Sequence, residues 1–138
     1  MDARAYRLSF MKESDVYEVD FAEVLQMKNT IIQVAMDSIS ECQHLMVAAK
    51  SLNRVACDIK EDNWLEKPKI SGFVPQKKMV WILEGILYYL PHSQAMGVLK
   101  TIAENCTLTH TILLADFMNK QSTGLSNLST ISTVQCSV

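Results

Sequence analysis

The feature that most constrains the fold is a set of four strand-like segments, each with an acidic residue at or near its end. Helix-like segments follow the first and the third of them. Buried strands that alternate with helices predict an α/β fold with a parallel sheet and helices on both faces. The four segments are VYEVD at 16–20, NRVACDI at 53–59, MVWILEG at 79–85 and THTILLADF at 109–117.

The acids of these segments are candidate ligand contacts. In open parallel sheets, ligands bind at the carboxyl ends of the strands, and those ends meet at one edge of the sheet. We therefore expect the acids to lie at or close to a ligand-binding edge. The four acids are Asp20, Asp58, Glu84 and Asp116.

The helix-like segments have candidate start signals. The segment at 21–39 has apolar residues near the spacing of one helical face, and Asp20 with Glu23 predicts a capping box at its start. The segment at 93–106 predicts a second helix, with Ser93 as its cap. Residues 121–138 are rich in Ser and Thr, which predicts a loose tail with at most one weak strand at 129–135.

Composition excludes several classes of partner. The formal net charge of −2 gives no basic footprint, so we expect no nucleic-acid partner. The apolar run around Glu84 is about a dozen residues long, too short to cross a bilayer. No charged-then-apolar leader opens the chain, so we expect no membrane association and a cytoplasmic protein. The four cysteines have no metal-site spacing, and Cys57 is expected in the core as a reduced thiol.

Four segments together carry a family resemblance. They occur in order and resemble the leucine carboxyl methyltransferase family of S-adenosylmethionine-dependent enzymes, in particular its plant and bacterial members of uncertain substrate. The resemblance covers roughly residues 1–120, and its most specific parts are the first and the last of the four segments. The segments are MDARAYRL at 1–8, YEVDFAEVLQMK at 17–28, VACDIKEDNW at 55–64 and VWILEGILYYL at 80–90.

The resemblance implies a fold, a cofactor and a set of contacts. The fold would be the class I methyltransferase variant of the Rossmann-like, doubly wound α/β sheet, within residues 1–120. The cofactor would be S-adenosyl-L-methionine and the acceptor a carboxylate or another small molecule. By likeness, Asp20 would hold the ribose hydroxyls, Asp58 and Ile59 would border the adenine, and Glu84 and Gly85 would line the methionine end. The resemblance assigns no catalytic residue and no metal, and the oligomeric state stays open.

The chain departs from the family pattern at both ends. The family's glycine-rich turn comes directly before the D-x-R-A-Y-R-L segment, with which this sequence opens. We therefore expect a partial copy in which the first strand and the last strands are missing, so that the strands at 16–20 and 79–85 have no common neighbour. The alternative function is that of an inactive fragment acting through a partner. A nicotinamide-binding domain is disfavoured because no G-x-G-x-x-G motif occurs.

Each candidate acid also has a structural interpretation. Asp20 could be an N-cap, a role compatible with ribose binding, and Asp58 could form a capping box with Glu61. Glu84 lies in an apolar run, where a buried carboxylate would need a partner such as Arg4 or Arg7. Its alternative is a position at the end of the strand, where the next residue, a glycine, lets the backbone turn. The sequence leaves these alternatives open.

Overall fold

The computed structural model describes residues 2–38, 47–75, 77–105, 110–118 and 134–136 of the chain. The chain divides into two compact units, Met1–Phe73 and Val74–Val138. This division falls inside the predicted domain at 1–120. The predicted boundary between that domain and the tail lies outside the described residues and stays a prediction.

The first unit is built on two parallel strands with a long helix between them in sequence. The strands pair from Asp15↔Ser51 to Asp20↔Ala56, without a break in register. The long helix turns Leu25 and Lys28 inward, and these residues are buried. In order, the elements are α1 (Arg4–Arg7), a 3-10 helix (Ser9–Glu13), β1 (Asp15–Asp20), α2 (Ala22–Asp37), β2 (Ser51–Ala56) and α3 (Glu66–Ile70).

The second unit repeats the strand–helix–strand arrangement and adds one antiparallel strand. The two parallel strands pair from Met79↔Thr111 to Leu83↔Ala115, and the last strand pairs with the end of the second. In order, the elements are β3 (Met79–Leu83), a 3-10 helix (Leu87–Tyr89), α4 (His92–Asn105), β4 (Thr111–Phe117) and β5 (Val134–Cys136). The predicted α/β class with parallel strands is therefore confirmed.

The described strands form two sheets, β1–β2 and β3–β4–β5. That the family's first strand and last strands are missing, so that β1 and β3 have no common neighbour, stays a prediction. The first unit buries the larger apolar set, which includes Cys57, as expected. Among the described residues, the buried apolar ones are Ala5, Leu25, Ala49, Val55, Cys57, Trp64, Leu65 and Pro68 in the first unit, and Pro75, Leu87, Val98 and Ile102 in the second.

The expectation that the strands are buried on both faces is wrong for β3 and β4. Val80 and Ile112 are partners in the register and are 55% and 51% exposed. Ile82 and Leu114, the next pair on the same face, are exposed as well. Alternate residues of a strand point to opposite faces, so the four exposed residues form one apolar face of this sheet.

The predicted capping box at the start of α2 is also wrong. Phe21 is the N-cap residue and makes no side-chain cap. Asp20 is the last residue of β1, and its Oδ1 accepts a hydrogen bond from the adjacent Phe21 N–H at 2.8 Å. A capping side chain accepts from the second or third N–H of the helix instead, and Asp20 is placed one residue too early for that.

Helix α4 begins one residue before its predicted start. The carbonyl of Pro91 accepts the first helical hydrogen bond, from Ala95 at 3.0 Å, so Ser93 lies inside the first turn and is not the cap.

Near the carboxyl terminus, β5 overlaps the weak strand predicted at 129–135 only at residues 134 and 135. Residues 129–133 lie outside the described part of the chain.

Two glycines have opposite conformational roles, which predicts opposite effects of alanine. Gly72 follows α3 in the left-handed region at φ 94°, in a Schellman arrangement where Phe73 N–H donates to Pro68 C=O. Gly97 lies inside α4 with open space around a Cβ. In urea denaturation, we expect Gly97→Ala to raise the free energy of unfolding by about 0.5–1 kcal/mol. Gly72→Ala should lower it by more than about 1 kcal/mol, and equal effects would contradict this assignment.

Candidate functional site

The first unit brings Asp20 and Asp58 to the same edge of the β1–β2 sheet. The ladder continues past the strand ends, because the N–H of Cys57 donates to the carbonyl of Asp20 at 2.9 Å. Asp58 is the next residue along. Asp20 is exposed and Asp58 is half-buried, as is the neighbouring Ile59. The prediction that these acids follow parallel strands at one edge is confirmed, and their role toward a ligand stays a prediction.

Asp58 organises the loop after β2. Its Oδ1 accepts a hydrogen bond from the N–H of Lys60 at 3.0 Å, and its Oδ2 lies 3.2 Å from the Lys60 ammonium. The backbone hydrogen bond from Lys60 is the main cause that lowers the pKa of Asp58, and the Lys60 side chain adds to it. The predicted capping box with Glu61 is not formed, because the chain turns here and α3 begins only at Glu66.

The pKa of Asp58 gives a pH-dependent prediction. Because the pKa is lowered on folding, this carboxylate stabilises the fold above its unfolded pKa of about 3.9. That stabilisation is lost as the pH falls through the folded value. We expect Lys60→Met to leave the pKa of Asp58 still below its ordinary value, because the backbone donor remains. Carboxyl ¹³C NMR titration of both proteins measures this, and a return to the ordinary value would show that the ammonium is the main cause.

A cation–aromatic contact joins the loops that follow the two strands. The Nζ of Lys60 lies 5.9 Å from the ring centroid of Phe21, which is itself about half exposed. Phe21 follows β1 and Lys60 follows β2, so the contact spans the edge where Asp20 and Asp58 lie. Sequence reasoning assigned neither residue a role at this edge. The only signal for either was its position within two residues of a strand-end acid.

A buried charge cluster lies behind this edge, and sequence reasoning missed it. Glu18 accepts from the Lys28 ammonium through Oε1 and from Arg54 Nε through Oε2 at 3.1 Å. The guanidinium of Arg54 also donates to Asn29 Oδ1 at 2.8 Å and to the hydroxyl of Tyr6. The cluster ties α2, β1, β2 and α1 together around one carboxylate. Lys28 carried a possible signal, since it falls on the apolar side of α2.

In the second unit, Glu84 lies just past the end of β3 and is exposed. The strand therefore ends before the acid, as the alternative based on the following glycine predicted. Gly85 adopts φ 68°, in the left-handed region that favours glycine. The interpretation of Glu84 as a buried carboxylate is wrong.

Asp116 holds the turn that follows Glu84. This carboxylate lies near the end of β4 and is only 6% exposed. The N–H of Gly85 donates to both of its oxygens, each at 2.9 Å. Asp116 shared the strand-end signal of the other acids, but the family resemblance gave it no role. Sequence reasoning therefore placed Asp116 correctly and did not identify its function.

Two tyrosines lie beside this turn. The rings of Tyr88 and Tyr89 are tilted, with centroids 4.7 Å apart. Loss of hydration raises the pKa of Tyr88, and the nearby Asp116 carboxylate raises it further. Tyr88 is therefore held in its neutral form, as a hydroxyl that can donate or accept a hydrogen bond.

Both units thus share one plan: a parallel strand pair with acids at its carboxyl end, the plan of an α/β ligand-binding protein. The sequence profile of the family described as leucine carboxyl methyltransferase matches residues 1–103. The chain belongs to this family. S-Adenosyl-L-methionine is the cofactor to which the family and the names of the relatives point.

Among the described residues, no helix has both the length and the apolar character needed to cross a membrane.

Three curated bacterial proteins that are similar to this chain are provisionally named S-adenosyl-L-methionine-dependent methyltransferases. The protein from Mycobacterium leprae is 32% identical over 106 residues, which is 77% of this chain and 32% of that protein. One from Mycobacterium marinum is 33% identical and covers 75% of this chain and 29% of its own length. One from Rhodococcus jostii is 33% identical, with 75% and 32% covered. The chain thus spans about a third of the length of these relatives.

The residues at the first edge fit the adenosine part of such a cofactor. A ribose presents two hydroxyl donors, and the exposed carboxylate of Asp20 uses Oδ1 for the Phe21 N–H. An ionised carboxylate offers about four lone-pair sites, so acceptor capacity remains for both hydroxyls. Ile59, half-buried in the next loop, offers an apolar surface of the kind that an adenine ring packs against.

Proposed function

We propose that this chain acts in S-adenosylmethionine-dependent methyl transfer to a carboxylate or another small-molecule acceptor. One observation carries the proposal. Asp20 and Asp58 lie at the same carboxyl edge of a parallel strand pair, within the stretch that matches the methyltransferase family. An open parallel sheet binds its ligand at this edge, and carboxylates there suit a ligand rich in hydroxyl donors.

In this proposal Asp20, Asp58 and Ile59 are the contacts for the adenosine part. The Asp20 carboxylate accepts hydrogen bonds from the ribose hydroxyls, and hydrogen bonds to an ionised acceptor are the stronger kind. Asp58 and Ile59 border the adenine. The Asp58 loop is held in place by its hydrogen bond from the Lys60 N–H, so this border is already formed without ligand.

In this proposal Glu84 and Gly85 are the contacts for the methionine part. Glu84 is exposed beyond the end of β3, and Gly85 turns the chain directly after it. A carboxylate in this position suits the positively charged methionine part of the cofactor, whose ammonium and sulfonium groups both carry positive charge. Gly85 has no side chain, so the backbone can approach a ligand closely at this point.

Methyl transfer to a carboxylate needs no general acid or base from the protein. When bound, the cofactor supplies an electrophilic methyl group on a sulfonium sulfur. A carboxylate acceptor is already ionised near neutral pH, so its attack needs no general base. The chain's own residues would contribute by holding the reactants in line and excluding water. This is why the sequence does not need a nucleophile–base pair.

Calorimetric titration with S-adenosylhomocysteine tests the proposal. We expect the chain to bind this product analogue, with homocysteine alone as the control ligand that lacks the adenosine part. A cooperative thermal melt of the same preparation establishes that the protein under test is folded. If a folded chain binds no S-adenosylhomocysteine at millimolar concentration, cofactor recognition by this chain is rejected.

A further inference from the structure

Asp116 is a nearly buried acid whose role neither the family resemblance nor the proposed function assigns. A buried carboxylate is costly unless hydrogen bonds replace the water it loses. Asp116 is 6% exposed, and both of its oxygens accept from one donor, the N–H of Gly85. Charged acceptors form the stronger hydrogen bonds to backbone N–H groups. The Asp116–Gly85 contact is therefore a specific tie between the carboxyl ends of β3 and β4.

This tie fixes more than the Gly85 nitrogen. The peptide bond between Glu84 and Gly85 is planar, so the N–H of Gly85 and the C=O of Glu84 turn as one rigid unit. With the N–H held on Asp116, the plane of this peptide is set, and with it the direction in which the chain leaves Glu84. Gly85 completes the turn at φ 68°. The position of the Glu84 backbone thus depends on Asp116.

The hydrogen-bond geometry at position 116 suits a carboxylate better than an amide. An asparagine could accept through only one atom, and its NH₂ group would face the Gly85 N–H or need a new acceptor.

We propose that Asp116 is a positioning residue: its carboxylate clamps the Glu84–Gly85 peptide and so directs Glu84 toward the positively charged methionine part of the cofactor. This inference rests on the proposed function for its ligand. The clamp itself is a property of the protein alone and can be tested without any ligand.

The first experiment measures amide hydrogen exchange by NMR. In the wild-type chain, we expect the Gly85 N–H to be protected. Asp116→Asn should speed its exchange by roughly tenfold or more, the loss expected for a hydrogen bond to a charged group. The amides within β3 should not change. The matched control is Glu104→Gln, an exposed acid of the same unit that lies 3.7 Å from Lys100. Unchanged exchange at Gly85 would overturn the clamp.

The second experiment separates positioning from simple loss of structure. S-Adenosylhomocysteine carries the charged amino-acid part, and 5′-methylthioadenosine lacks it. We expect Asp116→Asn to weaken binding of S-adenosylhomocysteine by roughly tenfold and to leave 5′-methylthioadenosine binding unchanged. Glu84→Gln should give the same pattern, and the double variant should be no worse than the single ones, because both changes remove one interaction. Equal losses for both ligands would overturn the positioning role.

A backbone variant covers the case in which Asp116→Asn does not fold. Gly85→Ala places a Cβ at 3.5 Å from the Tyr88 hydroxyl, an ordinary contact, so within the protein its strain comes from the positive φ. It should show the same selective loss of S-adenosylhomocysteine binding. If the folded wild-type chain binds neither ligand, the proposed function fails, and with it the role of Glu84. If the wild type binds and the variants bind equally well, the present inference alone fails.

Discussion

We expect Glu18→Gln to lower the free energy of unfolding by about 3–5 kcal/mol, the range for breaking a buried ion pair from one side. The carboxylate of Glu18 pairs with both Lys28 and Arg54. Their side chains are 12%, 8% and 23% exposed, in that order. Glutamine removes the charge that pairs with these two partly buried cations. The loss exceeds what the intact pair contributes, because each remaining charge has lost its hydration.

Two further variants test whether the effect of Glu18→Gln comes from breaking the charge cluster. Lys28→Met removes one cation and leaves Glu18 paired with Arg54, so it should destabilise less than Glu18→Gln. Glu66→Gln removes an exposed partner of Lys69, a pair at 2.8 Å on the surface of α3, and should change stability by less than about 1 kcal/mol. Urea denaturation of the four proteins measures the ranking. If Glu18→Gln were as mild as Glu66→Gln, the cluster would be well hydrated in solution.

The second large effect is expected on cofactor affinity. Asp20→Asn should weaken binding of S-adenosylhomocysteine by roughly tenfold to a hundredfold, the range for hydrogen bonds to a charged group. Asparagine keeps one carbonyl oxygen, which can still accept from the Phe21 N–H, so the start of α2 is preserved. What is lost is the charge and half of the acceptor capacity offered to the ribose. Calorimetric titration gives the affinity directly.

Asp15 provides the matched control for Asp20. It lies at the opposite, amino end of the same strand and bonds to Ser51 Oγ at 2.8 Å. Asp15→Asn changes the net charge by the same amount and should leave S-adenosylhomocysteine binding unchanged. An equal loss in both variants would mean that the effect is one of overall charge. An unchanged affinity in Asp20→Asn would remove Asp20 from the proposed ribose site.

Local sequence signals predicted the strands and the long helices well. The β-branched run at 16–20 and the apolar run beginning at Met79 appear as β1 and β3, each within two residues of its predicted bounds. These predictions succeeded because side-chain shape and apolar periodicity determine secondary structure within a few residues. Helix starts were predicted less well. Asp20 and Ser93 have the right chemistry for caps, but the backbone enters each helix at a different residue.

Local sequence signals could not predict the contacts between residues that are far apart in the sequence. Glu18 and Arg54 are 36 positions apart, and Gly85 and Asp116 are 31 apart. Nothing in the local pattern tells which of several acids a given arginine or N–H will meet. That choice depends on strand register, and a shift by one residue would send Glu18 to the other face of the sheet.

The sequence by itself determined the family, the order of the elements and the strand-end position of the acids, because these depend on local composition and short motifs. The tertiary structure alone decided what each acid does. It left Asp20 and Glu84 exposed and engaged Asp58 in its own loop. It also buried Glu18 between two cations and Asp116 on the Gly85 N–H. The reason is that a carboxylate's role depends on hydration and partners, which only strand pairing and packing bring together.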